Sequence, residues 1–341
     1  MVRRYRLGVA GLVHDHVWNE LDRWQATGRA EVVAAAEPAV DLQERVRADY
    51  SCQLVYSSVE EMLDQAQPEI VQVCGSNAAG AEAVLQCAAR GIPVIIEKPL
   101  AATLEQAEAM LEAATKAGIL LMVNWPNRWR PATVTAWELV QQGAAGEIFQ
   151  ARMRMAHCGP RKFGCSDHFC NWLYDPAENG GGALVDYCCY GAASFRHLFG
   201  MPQAVEAISD NLATPEIPVE DNAAITLIYD KRRAVAEASW TQIPSYHDAV
   251  YYGTEGTLWT EEGRVWLATG EDHREEIPVQ PLPEGRQTGP EMFLACLENG
   301  ETPPDVCHPA LCRDVQEILA AGQLAAARHC RVALPLNLST E

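Results

Sequence analysis

Nowhere in the 341 residues does an apolar run approach the roughly 18 residues that a membrane-spanning helix needs. Basic side chains are scarce: 26 Lys and Arg stand against 46 Asp and Glu, a formal net charge of -20. So acidic a chain argues against a nucleic-acid or anionic-membrane partner, which would call for a basic patch. The 12 cysteines contain no Cys-x-x-Cys pair and are scattered, several within apolar periodic segments (Cys74, Cys87, Cys296). That pattern reads as reduced, buried thiols in a cytoplasmic protein rather than a disulfide framework. His157, Cys158, Cys165, His168 and Cys170 likewise lack the paired spacing of a zinc site, so no metal is expected. Internal repeats and low-complexity segments are also missing. The start of the chain superficially imitates a signal peptide, but its apolar part stops at His14-Asp15-His16 without a small-residue cleavage site. A first β-strand is the better reading.

What is present is an ordinary globular composition, 48% hydrophobic and 21% charged, at a length that suggests about two domains. Strands are expected at 6–10, 31–36, 70–74, 92–96 and 119–123. Helices are expected between them at 17–24, 40–50, 59–66, 78–90 and 103–117, the last two closed by Gly91 and Gly118. Repeated β-α units with short connections imply a doubly wound parallel sheet. The rhythm changes at Trp125-Pro126-Asn127-Arg128-Trp129-Arg130-Pro131. After a helix at 133–142, strands at 148–155, 204–209, 223–229, 234–240, 249–252 and 264–268 come without intervening helices. Asp230-Lys231-Arg232 reads as a hairpin turn. A helix at 309–328 leads to a strand at 332–334. The expected fold is an α/β Rossmann domain, 1–124, followed by an α+β domain, 125–341, with a large, mostly antiparallel open sheet.

Three stretches carry chemistry. The apolar run ending in Glu97-Lys98-Pro99 places Lys98 at the carboxyl end of a buried strand, where ligands of α/β sheets gather. The first strand-helix turn, Gly8-Val9-Ala10-Gly11-Leu12-Val13-His14-Asp15-His16, sits where a pyrophosphate would rest on a helix N-terminus. Measured from Gly11, however, Val13 and His16 replace two of the three fingerprint glycines. Glu37 ends the second strand, placed to accept hydrogen bonds from ribose hydroxyls and to disfavour the extra phosphate of NADP. Beyond the glycines Gly180-Gly181-Gly182, which would let the chain pass close to a ligand, a helix runs to Phe199 and Gly200. Asp186 and Tyr190 lie four apart on one face of it. There a carboxylate orients a hydroxyl while a phenol exchanges its proton, and a lysine cation favours the phenolate.

In order and spacing these motifs resemble the glucose-fructose oxidoreductase / inositol dehydrogenase / rhizopine-catabolism (Gfo/Idh/MocA) oxidoreductases over nearly the whole chain. Glu97-Lys98-Pro99 is similar to the family's signature, with the lysine near nicotinamide and substrate. Ser76-Asn77, after Gly75, falls where the family carries a cofactor-contacting Pro-Asn pair. Asn127 to Pro131 resembles its Arg-Phe-x-Pro segment, and Trp172 matches a tryptophan beside the cofactor. Gly253-Thr254-Glu255-Gly256-Thr257-Leu258 resembles a turn in its sheet. The resemblance implies NAD as cofactor, with NADP not excluded, held by Gly8, Gly11, Leu12, Val13, Glu37, Gly75, Ser76, Asn77, Glu97, Lys98 and Trp172. It implies a sugar, polyol or related carbohydrate as substrate, met by Lys98, Arg128, His168, Asp186 and Tyr190, of which Lys98, Asp186 and Tyr190 are catalytic. It also implies a homodimer or homotetramer through the second sheet. Departures from the family are Tyr190 where many relatives have histidine, Gly80 after the Ser-Asn pair and Leu173 after the tryptophan; they leave the substrate open. A glycosidase or lyase that uses NAD only transiently, and a sensing protein without turnover, are the alternative readings.

Overall fold

The computed structural model describes residues 3–336. They form two compact units. The first comprises the chain up to Trp125 together with Cys165–Gly180 and Pro283–Arg313; the second comprises Pro126–Gly164, Gly181–Leu282 and the chain from Asp314. Two segments that the sequence reading places wholly in the second domain thus pack with the first unit.

The first unit is built on six parallel strands: β1 Tyr5–Ala10, β2 Ala30–Ala36, β3 Leu54–Tyr56, β4 Ile70–Val73, β5 Val94–Glu97 and β6 Leu121–Asn124. Their spatial order is β3-β2-β1-β4-β5-β6, so the order reverses between β1 and β4. That switch point is where an open α/β sheet binds its ligand. Strands β4, β5 and β6 are buried at every position, as expected of parallel strands covered on both faces. The connecting helices are α1 His16–Ala26, α2 Val40–Tyr50, α3 Val59–Ala66, α4 Asn77–Ala89 and α5 Leu104–Ala117. Their ends follow local chemistry. Thr103 caps α5 in a capping box with Gln106, and Gly118 closes it with φ +66°. The helix Gly289–Asn299 lies against α1, with Phe293 edge-on to the buried Trp24 ring at 6.0 Å.

The second unit opens with the 3-10 helix Pro126–Trp129 and α6 Pro131–Gln141. Its sheet has nine strands: β7 Ile148–Ala156, β8 Ala204–Asp210, β9 Asn222–Ile228, β10 Arg233–Ser239, β11 Tyr246–Gly253, β12 Thr257–Glu261, β13 Arg264–Gly270, β14 His273–Ile277 and β15 Val332–Ala333. The order is β14-β13-β12-β11-β7-β10-β9-β8-β15. Every pairing is antiparallel except β7 with β10. The helix Ala183–Phe199 packs on β7, β9 and β10, and α6 on β12 and β13. Alternate residues such as Ala151, Met153, Ile225 and Leu227 are buried on that face.

Several elements escape the sequence pattern. Strand β3 has only three residues, and β14 reads His-Arg-Glu-Glu-Ile, an edge strand with no apolar face. Strand β12 begins inside the segment read as a turn, whose hairpin is closed by Gly253 N–H donating to the Gly256 carbonyl at 2.8 Å. The helix Gly289–Asn299 starts Gly-Pro, which reads as loop. Proline is tolerated in a first turn, and Thr288 with Glu291 forms a capping box there. Short helices at Pro160–Phe163, Asp167–Leu173 and Pro176–Asn179 have too few residues to show a helical period.

Candidate functional site

At the switch point of the first sheet lies a cavity of about 420 Å³, lined by Gly11, Val13, Glu37, Gly75, Ser76, His168, Trp172 and Glu178 among others. Gly11 is the residue that lets it form. Its φ is +80°, and a Cβ there would stand 2.6 Å from the Gly75 Cα and 2.7 Å from its nitrogen. Two chain segments thus touch backbone to backbone beneath the cavity, which only glycine permits. Glu37 is 1% exposed; one carboxylate oxygen accepts from Leu12 N–H at 2.7 Å, the other from Ala39 N–H at 2.9 Å. A carboxylate has about four acceptor sites, so capacity remains for ribose hydroxyls. Apolar Ala10, Ala36, Pro38, Val59, Ala79 and Ala83 complete the lining and suit an adenine. The residues fit a dinucleotide.

The substituted glycine positions are built into this turn. His14 is buried, and its Nδ1 accepts from His16 N–H at 3.2 Å. His16 Nδ1 lies 3.0 Å from the Glu97 carboxylate, whose other oxygen accepts from Asn124 Nδ2. Burial, then the charges of His16 and Lys98, hold His14 well below the usual imidazole range, so its ring is neutral. The chain therefore ties its first turn to Glu97-Lys98-Pro99 through histidine. These three side chains place ligand-type atoms within 4.8 Å of one another, but both Nδ1 atoms are engaged in holding the turn.

Segment Cys165–Gly180 closes the cavity within the first unit. Asp15 accepts from Ser166 N–H at 2.7 Å and from its hydroxyl at 2.6 Å. Ser76 caps α4 and donates to Glu178. Asn77 Nδ2 donates to the Asn179 carbonyl at 3.0 Å and Oδ1 at 2.8 Å. Trp172 Nε1 donates to the Val13 carbonyl at 3.3 Å, its ring 5.4 Å from that of His14.

Three expected roles are corrected here. Gly8 is mid-strand, and a Cβ on it would meet Pro68 at 3.0 Å and Met62 at 3.3 Å; it packs on protein, away from the cavity lining. His168, expected at the substrate, lines this cavity instead and pairs with Asp41 on α2 at 2.7 Å. The reason is that its segment folds onto the first unit. The triple glycine makes room for protein. A Cβ on Gly180 would meet the Ala102 carbonyl at 2.1 Å, and one on Gly182 the Glu220 carbonyl at 2.2 Å.

Lys98 follows β5, is 4% exposed, and precedes Pro99 through a cis peptide. Its N–H donates to the Asn124 carbonyl at 3.2 Å. In the second unit, Asp186 and Tyr190 are 6% and 5% exposed on the helix Ala183–Phe199. Asp186 accepts from Trp240 Nε1 at 3.2 Å, so the fully buried Trp240 orients the carboxylate. Glu220 caps the same helix, accepting from Gly182 N–H at 2.8 Å and Leu184 N–H at 3.0 Å. Burial raises the Glu220 pKa. Arg128 is buried in Pro126–Trp129, its guanidinium 5.5 Å from the Trp129 ring centre. Local sequence pattern does not single out Asp15, Glu178, Asn179 and Trp240 as supporting residues. Each acts on a partner far away in sequence, where no local pattern points.

Comparison with known proteins agrees with this picture. Residues 6–125 match the oxidoreductase family with NAD-binding Rossmann fold of the GFO/IDH/MocA group, and residues 133–259 match the GFO/IDH/MocA C-terminal domain. The chain is 29% identical over 180 residues to D-glucoside 3-dehydrogenase of Escherichia coli K12, covering 52% of this chain and 49% of that protein. It is 23% identical to trans-1,2-dihydrobenzene-1,2-diol dehydrogenase of Xenopus tropicalis, over 77% of this chain and 78% of that one. The first of these matches thus spans about half the relative's length. Similar solved structures include aldose-aldose oxidoreductase from Caulobacter crescentus with glycerol, at TM-score 0.84, 20% identity and 97% and 100% coverage. Levoglucosan dehydrogenase with NADH and levoglucosan superposes at TM-score 0.81 with 21% identity, covering 98% of this chain and all of that one. At such identities the likeness is one of fold.

Proposed function

Because the chain belongs to the Gfo/Idh/MocA oxidoreductase family, we propose that it is an NAD-dependent oxidoreductase acting on a sugar, polyol or related carbohydrate. The observation that carries this reading is the cavity at the switch point, lined by Gly11, Glu37 and Gly75, with Lys98 following β5. NAD, when bound, supplies the hydride acceptor or donor. In the oxidation direction Tyr190 takes the proton of the substrate hydroxyl. Asp186, held by Trp240, orients that hydroxyl, and Lys98 favours the phenolate by its charge. Preorganisation supplies most of the rate: the buried groups have few positions to sample and little water to displace. Glu37 supports NAD over NADP, since a second phosphate beside a buried carboxylate is repelled. The reading extends to an oligomer. The sheet face away from Ala183–Phe199 carries Trp259 stacked on Trp266 with Arg274 4.0 Å from the latter's centroid, material for a subunit interface. Sedimentation velocity returning only monomer would remove that part.

Calorimetric titration with NAD, NADH, NADP and NADPH, followed by a sugar screen for NADH formation, tests the whole reading. We expect tight binding of the NAD pair, and loss of turnover by about a thousandfold or more in Lys98→Met with cofactor binding retained. Wild-type rates in that variant would remove Lys98 from the chemistry, and no binding of any dinucleotide would overturn the assignment.

A further inference from the structure

The second unit holds a cavity of its own. It measures about 530 Å³ and is lined by Trp129, Arg130, Thr133, His247, Asp248 and Thr260 among others. A recess of about 20 Å³ shares Arg130, Thr133, His247, Asp248 and Thr260 with it and adds Asn127. The larger volume falls within the ~300–1,000 Å³ of small-molecule sites. The recess has room for about one hydroxyl or water.

Buried polar groups here lack protein partners. Asn127 is 4% exposed, yet neither its carboxamide oxygen nor its nitrogen makes a hydrogen bond among the described residues. His247 Nε2 is buried and unpartnered too. Folded proteins pair nearly all such atoms, and exceptions mark functional positions. A carboxamide donates and accepts side by side, which is what a hydroxyl needs. Burial, then the charges of Arg130 and His157, push His247 down to about 4, leaving a neutral imidazole at physiological pH. Burial also raises the Asp248 carboxyl. The lining mixes carboxamide, imidazole, hydroxyls, one guanidinium (Arg130), two carboxyls (Asp248 and Glu262) and an indole, so both signs of charge are present and no cluster of cations is. It suits a neutral, polyhydroxylated ring better than a phosphate or a carboxylate.

Within the same unit, packed rings run from this cavity to the reacting end. The His247 ring meets the Tyr187 ring edge-on at 6.3 Å, and Tyr187 meets Tyr190 edge-on at 5.8 Å. Two ring contacts therefore link this cavity to the phenol assigned to proton transfer.

We propose that the cavity beside Asn127 and His247 is a subsite for the non-reacting ring of a larger sugar, so that the substrate is a disaccharide or other glycoside rather than a free monosaccharide. This rests on the oxidoreductase reading above. Glucose, methyl β-glucoside, cellobiose, maltose and sucrose are compared by kcat/KM with NAD, and each is titrated calorimetrically into the NADH-loaded protein. At least one disaccharide is expected to exceed its monosaccharide tenfold in kcat/KM. Asn127→Leu and the isosteric Asp248→Asn, both checked for unchanged melting, should reduce that preference at least fivefold. Equal use of large and small sugars by the wild type, or variants that lower both alike, overturns the subsite. If no sugar is oxidised the oxidoreductase reading fails, and the titrations then decide the cavity alone. Saturable disaccharide binding that Asp248→Asn weakens supports it, and no binding overturns it.

Discussion

The two cavities differ in how their polar groups are satisfied. Around Gly11 in the first unit nearly everything is paired. Glu37 holds Leu12 and Ala39, Ser76 holds Glu178, Asp15 holds Ser166, and Asn77 holds Asn179. Around Asn127 in the second unit, a buried carboxamide and an imidazole nitrogen have no partner among the described residues. A site finished by its own chain is rigid before its ligand arrives and discriminates through shape. A site with open hydrogen-bonding valence discriminates through the ligand that completes it. The first arrangement suits a cofactor that every turnover uses, the second a substrate that must be told from its neighbours.

Substitutions can break this contrast. The largest effect is expected of Gly11→Ala. A methyl group forced against the Gly75 backbone at positive φ should cost about 2–4 kcal/mol and abolish NAD binding. Denaturant titration and calorimetry check both, and a variant that binds NAD normally would show that the backbone contact is dispensable.

A second effect concerns pH. Glu20, 2% exposed on α1, is raised to about 7, by burial first and then by the Glu97 charge, against the attraction of Arg23. A carboxyl whose folded pKa lies above its ordinary 4.5 favours folding fully below that value. The contribution is lost as pH rises through 7. Glu20→Gln should therefore match the wild type near pH 4.5 and exceed it at pH 8, by on the order of 2–3 kcal/mol. Stability curves at the two pH values that run parallel for both proteins would refute the burial argument.

The smallest effect is expected where the valence is open. Asn127→Ala removes no protein hydrogen bond from the side chain, so stability should change by less than about 1 kcal/mol. A loss as large as that of Gly11→Ala would mean that Asn127 is structural, and the contrast between the cavities would collapse.

Much of this was legible in the chain. Period and punctuation located α2 and α3 to the residue, because apolar spacing and flanking turn residues agree there. Lys98, Asp186, Tyr190 and Glu37 could be singled out because each sits at a strand end or on a helix face that local pattern defines. The weak fingerprint was legible only as a deficit. Nothing in Val13-His14-Asp15-His16 announces that His16 would reach Glu97, since that contact joins residues brought together by two crossovers of the sheet.

Sequence by itself determined the alternation of strands and helices, the family resemblance and the chemical types at the site, because these depend on local propensity and ordered motifs. Only the tertiary structure decided that His168 belongs beside Asp41, that the triple glycine accommodates protein, and that Trp240 holds Asp186. It alone also decided that the Asn127 side chain is buried without a hydrogen-bond partner among the described residues. Burial and hydrogen-bond satisfaction depend on which distant segments meet, and that is set by packing of the whole unit rather than by any stretch within it.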